Sequence, residues 1–189
     1  MRLTLLGTGD AGGVPCYGCN CVVCNRARQN PTYRRRPCSA LLNWGSESWL
    51  IDGGLMDLGD RFSPGTLSGI LLTHFHVDHV QGLFHLRWGM GAPITVHCPP
   101  DPQGCADLYR NPGLLRFQPL TAFTPISLGQ GQVIPIPLQH SKLTFGYCME
   151  DSSGKLAYLT DTVGLPPKTQ RWEHPVLEDL PFMGKCKGK

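Results

Sequence analysis

Charge is scarce in this chain. Asp, Glu, Lys and Arg make up 16% of its 189 residues, low for a globular protein, and they nearly cancel to a formal net charge of +3. That balance is too small for bulk electrostatic attraction to nucleic acid. The one basic run, Tyr33-Arg34-Arg35-Arg36, reads as a solvated loop or as a surface facing an anionic substrate. Long apolar runs are missing too. No segment approaches the ~20 apolar residues that span a bilayer, and the apolar stretch in Met1–Gly7 is too short for a signal peptide. Internal repeats and linkers are absent. Nine Cys is an odd number, and they are clustered or isolated rather than spaced as a disulfide framework. A reducing cytoplasm is the simplest compartment, with neither membrane nor nucleic acid among the expected partners.

What is present suits one packed domain. Apolar residues reach 41%, enough for a sizeable core at this length. The 23 Gly and 17 Pro separate apolar strands, which points to turns rather than disorder. Leu3–Leu6 reads as a strand. Residues 39–43 and 48–52 read as a hairpin turning at Trp44-Gly45. A short helix is predicted over 56–62, and a strand over 69–73. Ile94–Cys98 reads as a further strand, followed by a helix over 103–109 with Asp101 as its cap. Strands are predicted near 121–127, 132–140, 144–150 and 155–160. Antiparallel strand runs with interspersed helices give an α/β chain with helices outside its sheets. Gly7-Thr8-Gly9-Asp10-Ala11-Gly12 matches the dinucleotide fingerprint in letters only. That fingerprint must open a helix, and here Pro15 and a cysteine cluster follow, so a flexible-backbone loop beside the site is the better reading.

The chemistry concentrates at Thr73-His74-Phe75-His76-Val77-Asp78-His79, which holds three of the seven His. It follows an apolar run ending in Leu71-Leu72, so its ligands fall at a strand's carboxyl end, where α/β sheets build their sites. His74 and His76, two apart in an extended segment, share a side. Asp78 and His79 turn the other way into a helical stretch. One metal can take the first pair and a second the other. A His-rich surface loop is the bland alternative.

This motif resembles the His-x-His-x-Asp-His signature of the metallo-β-lactamase-fold hydrolases. The resemblance implies an α/β fold of the αβ/βα four-layer sandwich type. It also implies two further ligands, a lone His and a carboxylate bridging the metals. His140, closing the run 133–140, and Asp161, closing the run 156–161, stand at matching positions. A shared carboxylate suits metals ~3.5–4 Å apart.

Cys16-Tyr17-Gly18-Cys19-Asn20-Cys21-Val22-Val23-Cys24 holds four thiols in nine residues. Cys-x-Cys-x-x-Cys in a cytosolic chain signals structural zinc, against the alternative of buried or redox-active thiols. Cys38, Cys98, Cys105, Cys148 and Cys186 read as small core or surface residues. The Cys19/Cys21/Cys24 triad, the segments 78–84 and 86–89, and His140-Ser141-Lys142-Leu143-Thr144-Phe145-Gly146-Tyr147 together narrow the resemblance. They look like the phosphoribosyl cyclic phosphate phosphodiesterases of the carbon–phosphorus lyase pathway, over residues 2 to 169.

That resemblance implies a dimanganese site, a structural zinc held by Cys19, Cys21, Cys24 and a distant His, and a small phosphorylated sugar substrate. Metal-activated hydroxide attacks phosphorus, and the ring opens at the ribose 2-oxygen to give ribose 1,5-bisphosphate. Asp78 ligates and orients the nucleophile. Asp52 is either a support for a ligating His or a turn acid. Ser141, Lys142, Thr144 and Tyr147 are placed to contact phosphates, and Arg87 to bind the 5-phosphate, while strand packing accounts for Leu143 and Phe145. A homodimer is compatible with the family.

The chain departs from the family after Asp161. It ends 28 residues later, without the family's general-acid His, its second-metal His and its zinc-site His. His174, the one His downstream, precedes Pro175 and reads as exposed. Residues 1–170 are then an incomplete metallo-hydrolase domain, with the zinc loop at 16–24 and an unrecognised tail at 171–189. The expectation is a truncated or frame-shifted member, or a chain whose remainder lies elsewhere. Its second half would lack strands and helices and leave core surface exposed. Cys16 is an alternative fourth zinc ligand. Two rival functions remain: a tRNA 3′-end nuclease of the same superfamily, and an inactive metal-binding remnant.

Overall fold

The computed structural model describes residues 1–172. Ten strands form two sheets. The first has six, in spatial order β1 (Arg2–Gly7), β2 (Ser39–Trp44), β3 (Glu47–Ile51), β4 (Gly69–Leu71), β5 (Ile94–Cys98) and β6 (Leu115–Pro119). Pairing is antiparallel from β1 to β3 and parallel from β3 to β6. The second sheet is antiparallel, in order β10 (Gly154–Tyr158), β9 (Thr144–Asp151), β8 (Gly131–Leu138) and β7 (Ile126–Leu128). The helices are short: α1 (Val22–Gln29), α2 (Leu58–Arg61), α3 (Val77–Val80), α4 (Leu83–Leu86), α5 (Ala106–Arg110) and α6 (Pro167–Gln170).

Strand periodicity sorts the core into layers. Side chains alternate faces along a strand. Trp49 and Ile51 of β3 therefore enter the cluster between the sheets with Phe145, Tyr147 and Met149 of β9. Leu50, between them, joins the opposite cluster with Leu58, Val80, Leu83 and Leu108 under the helices. Burial on both faces is why 69–72 reads as an unbroken apolar run rather than an alternation. On the second sheet, Ile134, Ile136 and Cys148 form an outer cluster with Phe123, Leu159 and Trp172 against it. Ile134, Ile136 and Cys148 are buried, at 5%, 0% and 1% exposure.

This topology gathers one end of the sandwich into a site. The carboxyl ends of β3 and β4 point the same way, as do those of β8 and β10, and the N–H of Phe145 donates to the Thr73 carbonyl at 2.9 Å. The two sheets are thus tied where the histidine motif begins.

Several local expectations need correction. Asp101 does not cap a helix: its Oδ1 accepts from the N–H groups of Gln103 and Gly104 at 3.0 Å, and the helix starts later, at Ala106. The strand predicted at 121–127 shrinks to Ile126–Leu128, because a turn brings the Thr124 N–H to the Thr121 carbonyl. Strand β6 carries Arg116 and Gln118 on exposed positions at the sheet edge and has no apolar run to announce it. The Gly7–Gly9 loop is packed rather than flexible. Both glycines are buried, the Gly9 N–H donates to the Arg36 carbonyl at 2.6 Å, and a Cβ at Gly7 would collide with the Pro37 carbonyl.

Candidate metal centre

Strand β4 ends at Leu71, and the chain runs on extended to His76, whose φ of −71° and ψ of 150° precede the first turn of α3. Phe75 is pinned in the helical-face core. His74 and His76 thereby project into the site, and α3 swings Asp78 and His79 back toward it. His140 arrives two residues beyond β8 and Asp161 three beyond β10.

The side chains converge closely. His74 Nε2 lies 2.8 Å from His76 Nδ1, and His140 Nε2 lies 3.0 Å from the same atom. Asp161 Oδ2 lies 2.8 Å from His79 Nε2 and 3.5 Å from His74 Nε2, and Asp78 Oδ2 lies 3.6 Å from His79 Nε2. Two donor sets result, His74/His76/His140 and His74/His79/Asp161, each with its ligand atoms within 4.8 Å of one another. Imidazole nitrogens with carboxylate oxygens suit Zn, Mn or Fe, so the donor set fits a divalent ion in each position.

Electrostatics favour lone pairs on the first set. Burial, then the charge of neighbouring His79, pushes His74 down to about 2. Burial and His140 lower His76 in the same way. His79 is different: burial opposes its charge, but the carboxylates of Asp52 and Asp161 outweigh that and raise it to about 9.

Asp52 resolves to a support rather than a turn acid. It is fully buried one residue beyond β3, and its Oδ2 lies 2.8 Å from His79 Nδ1. Its Oδ1 accepts from the Thr73 N–H at 2.8 Å. Its backbone sits at φ 58°, and Asp161 at φ 54°, the left-handed region that Asp tolerates better than most side chains. The two glycines that follow permit close approach. The Gly53 N–H donates to the His79 carbonyl at 2.7 Å, and a Cβ at Gly54 would collide with the Asp78 and Cys38 carbonyls.

The β-lactamase superfamily domain model matches residues 57–178, well over half of the chain. The chain belongs to the metallo-β-lactamase superfamily. Superfamily membership brings a hydrolase fold and divalent-metal binding with it. One relative is coenzyme PQQ synthesis protein B of Rhodopseudomonas palustris (strain BisB5), 31% identical over 110 residues, covering 51% of this chain and 36% of that protein. The chain thus spans about a third of the length of the curated relatives it matches. Among solved structures it is similar to a diphosphatase from the PhnP family, with 26% identity, a TM-score of 0.72, and coverage of 88% of this chain and 67% of that one. Zn(2+)-bound PqqB from Methylobacterium extorquens has the same fold, with 20% identity, a TM-score of 0.72, and coverage of 90% and 68%.

In this superfamily member the cysteine loop stands apart from the histidines. Cys19, Cys21 and Cys24 bring their sulfurs within 4.8 Å of one another. Cys21 is the N-cap of α1, and the Cys24 N–H donating to its sulfur lowers that thiol to about 7. Cys16 lies outside the triangle; its N–H donates to Cys24 Sγ at 3.4 Å. The basic run lines a cleft of about 430 Å³ beside this loop, with Arg26, Thr8 and Thr32. A larger concavity, about 640 Å³, lies at the opposite strand ends, around Gln130 and Asp151.

The expected phosphate contacts divide. Ser141 is exposed, with Oγ 3.4 Å from His76 Nε2, and Lys142 is half-buried beside it. Thr144 is buried and donates to the Lys142 carbonyl, so it shapes the turn. Tyr147 is buried between the sheets and donates to the Leu72 carbonyl at 2.6 Å. Arg87 Nη1 donates to the Asp107 and Asn111 carbonyls, tying α4 to α5. Leu143 is 43% exposed rather than packed, while Phe145 is core. His174 lies outside the described residues. Sequence reasoning assigned Thr73 no role of its own; the signal for it was a polar residue closing a wholly apolar strand run.

Among the described residues no helix is long and apolar enough to cross a membrane.

Proposed function

We propose that the chain is a dinuclear-metal phosphodiesterase that opens 5-phosphoribosyl 1,2-cyclic phosphate to ribose 1,5-bisphosphate in phosphonate breakdown. The observation that carries this reading is the pair of adjoining donor sets, which share His74, beside an open edge bearing Ser141 and Lys142. The likeness to a PhnP-family diphosphatase supports a phosphorylated substrate. Two divalent ions, manganese by family resemblance, would be held by His74, His76, His140 and Asp161 and by Asp78, His79 and Asp161. Bound there, they supply a water of lowered pKa and neutralise charge on the phosphoryl oxygens.

The chain's own residues do the rest. Asp78 orients the attacking water, and Lys142 offers positive charge at the exposed edge of His76. In the reaction, water adds to phosphorus, the bond from phosphorus to the ribose 2-oxygen breaks, and that oxygen takes up a proton. Cys19, Cys21 and Cys24 hold one structural zinc away from the chemistry. The protein works in the cytoplasm on a small sugar phosphate, as a monomer or a homodimer.

The decisive experiment is ³¹P NMR of the cyclic phosphate incubated with protein of known metal content. Manganese-dependent appearance of ribose 1,5-bisphosphate supports the proposal. Cleavage of precursor tRNA without turnover of the cyclic phosphate would instead favour a tRNA 3′-end nuclease. Full metal loading with no turnover of either substrate leaves the remnant reading.

A further inference from the structure

We propose that Thr73 is a positioning residue that supports both metal positions through one hydroxyl. The inference rests on metal binding at the histidine centre and not on the cyclic-phosphate substrate. Thr73 is fully buried. Its Oγ1 lies 3.0 Å from His74 Nδ1, 3.0 and 2.9 Å from the two oxygens of Asp52, and 3.4 Å from His79 Nδ1. Asp52 Oδ2 in turn lies 2.8 Å from His79 Nδ1.

Proton counting gives this cluster a direction. A carboxylate only accepts, and a threonine hydroxyl has one proton to give. Asp52 takes that proton in a hydrogen bond, together with the Thr73 N–H and the Nδ1–H of His79. The lone pairs of Thr73 Oγ1 are then free to accept, and the donor within reach is the Nδ1–H of His74. With a metal on Nε2, both imidazoles are thereby fixed as Nδ1–H tautomers. Their Nε2 atoms face Asp161, His74 belonging to both donor sets and His79 to one. His76 has the opposite arrangement, since its Nδ1 faces His74 and His140 and its Nε2 faces Ser141. A single buried Thr–Asp pair is thus shared by two metal positions, whereas Ser141 touches only one ligand. Supports of this kind typically change metal affinity ~10–100-fold when removed.

The test compares Thr73→Val with Thr73→Ser by titrating the metal-free proteins with Zn²⁺ and following bound metal, with Co²⁺ absorption as a second signal. The expected result is weaker binding at both positions in Thr73→Val, ~10–100-fold, and near wild-type binding in Thr73→Ser. Wild-type affinity at both positions in the valine variant overturns the proposal, as does a loss confined to one position. The wild-type protein gives an answer that needs no variant. Long-range ¹H–¹⁵N spectra of the zinc-loaded chain should show His74 and His79 as Nδ1–H tautomers and His76 as the Nε2–H tautomer; an Nε2–H on His74 overturns the assignment. A wild-type chain that binds no metal at the histidines overturns the metal reading itself, and the inference with it.

Discussion

The histidine centre draws its side chains from the ends of β3, β4, β8 and β10, whereas the cysteine loop takes all three thiols from six consecutive residues. The first is buried, with His74, His79 and Asp52 at 0% exposure; in the second, Cys21 is exposed and only Cys24 is fully covered. The histidine centre is therefore a product of the whole fold, oriented by hydrogen bonds to Thr73 and Asp52. The loop is held largely by itself, through the Cys21 cap of α1 and the N–H groups donating to Cys21 and Cys24. A local site can form wherever its short peptide folds. A distributed site requires the sheets to be in register.

Substitutions can break that contrast. Asp161→Ala carries the largest expected effect, because under the proposed assignment Asp161 ligates both ions: metal at the histidine centre and hydrolysis are both lost, by more than the ~10–100-fold typical of supporting residues. Elemental analysis and the ³¹P assay check this, and full activity would remove Asp161 from the site. Asp52→Ala comes next. It strands the Thr73 and His79 donors in a dry interior at ~1–3 kcal/mol for each unsatisfied group, so both the urea midpoint and metal affinity should fall.

Cys24→Ser should act locally. The loop zinc is lost while the histidine centre keeps its ions, and loss of both would show that the two regions are coupled. Cys16→Ser should leave zinc content unchanged, because Cys16 lies outside the sulfur triangle. Tyr147→Phe removes one buried hydrogen bond to Leu72, at ~1–3 kcal/mol of stability, and should leave kcat and KM unchanged.

The same contrast explains what could be read from the sequence. The cysteine triad and the 74–79 motif are contiguous and were legible, as were the apolar runs of β8 and β9, which are buried on both faces. His140 and Asp161 needed a family pattern, because a lone His or Asp after a strand carries no local signal. Asp52 and Thr73 were harder still. Their roles exist only once β3 and β4 pair in parallel and bring residue 52 beside 73. Thr144 and Tyr147 misled in the opposite direction: their polar groups suggested ligand contact, but the tertiary fold spends them on a turn and on the Leu72 carbonyl. Strand β6 was missed because an edge strand buries one face only, and its alternation of Leu115 and Phe117 with Arg116 and Gln118 spans just four residues.

His79 and Asp161 are 82 positions apart in the chain. An ion held between them is also a cross-link, closing a long loop that the unfolded chain would otherwise leave open. Occupancy then acts on folding itself. An ion that binds only the assembled site adds RT ln(1 + [metal]/Kd) to stability, ~2.7 kcal/mol at a hundredfold excess over Kd. Heat resistance of this protein should therefore track free metal concentration, and chelation should loosen the seam between its two sheets before any other part of the molecule.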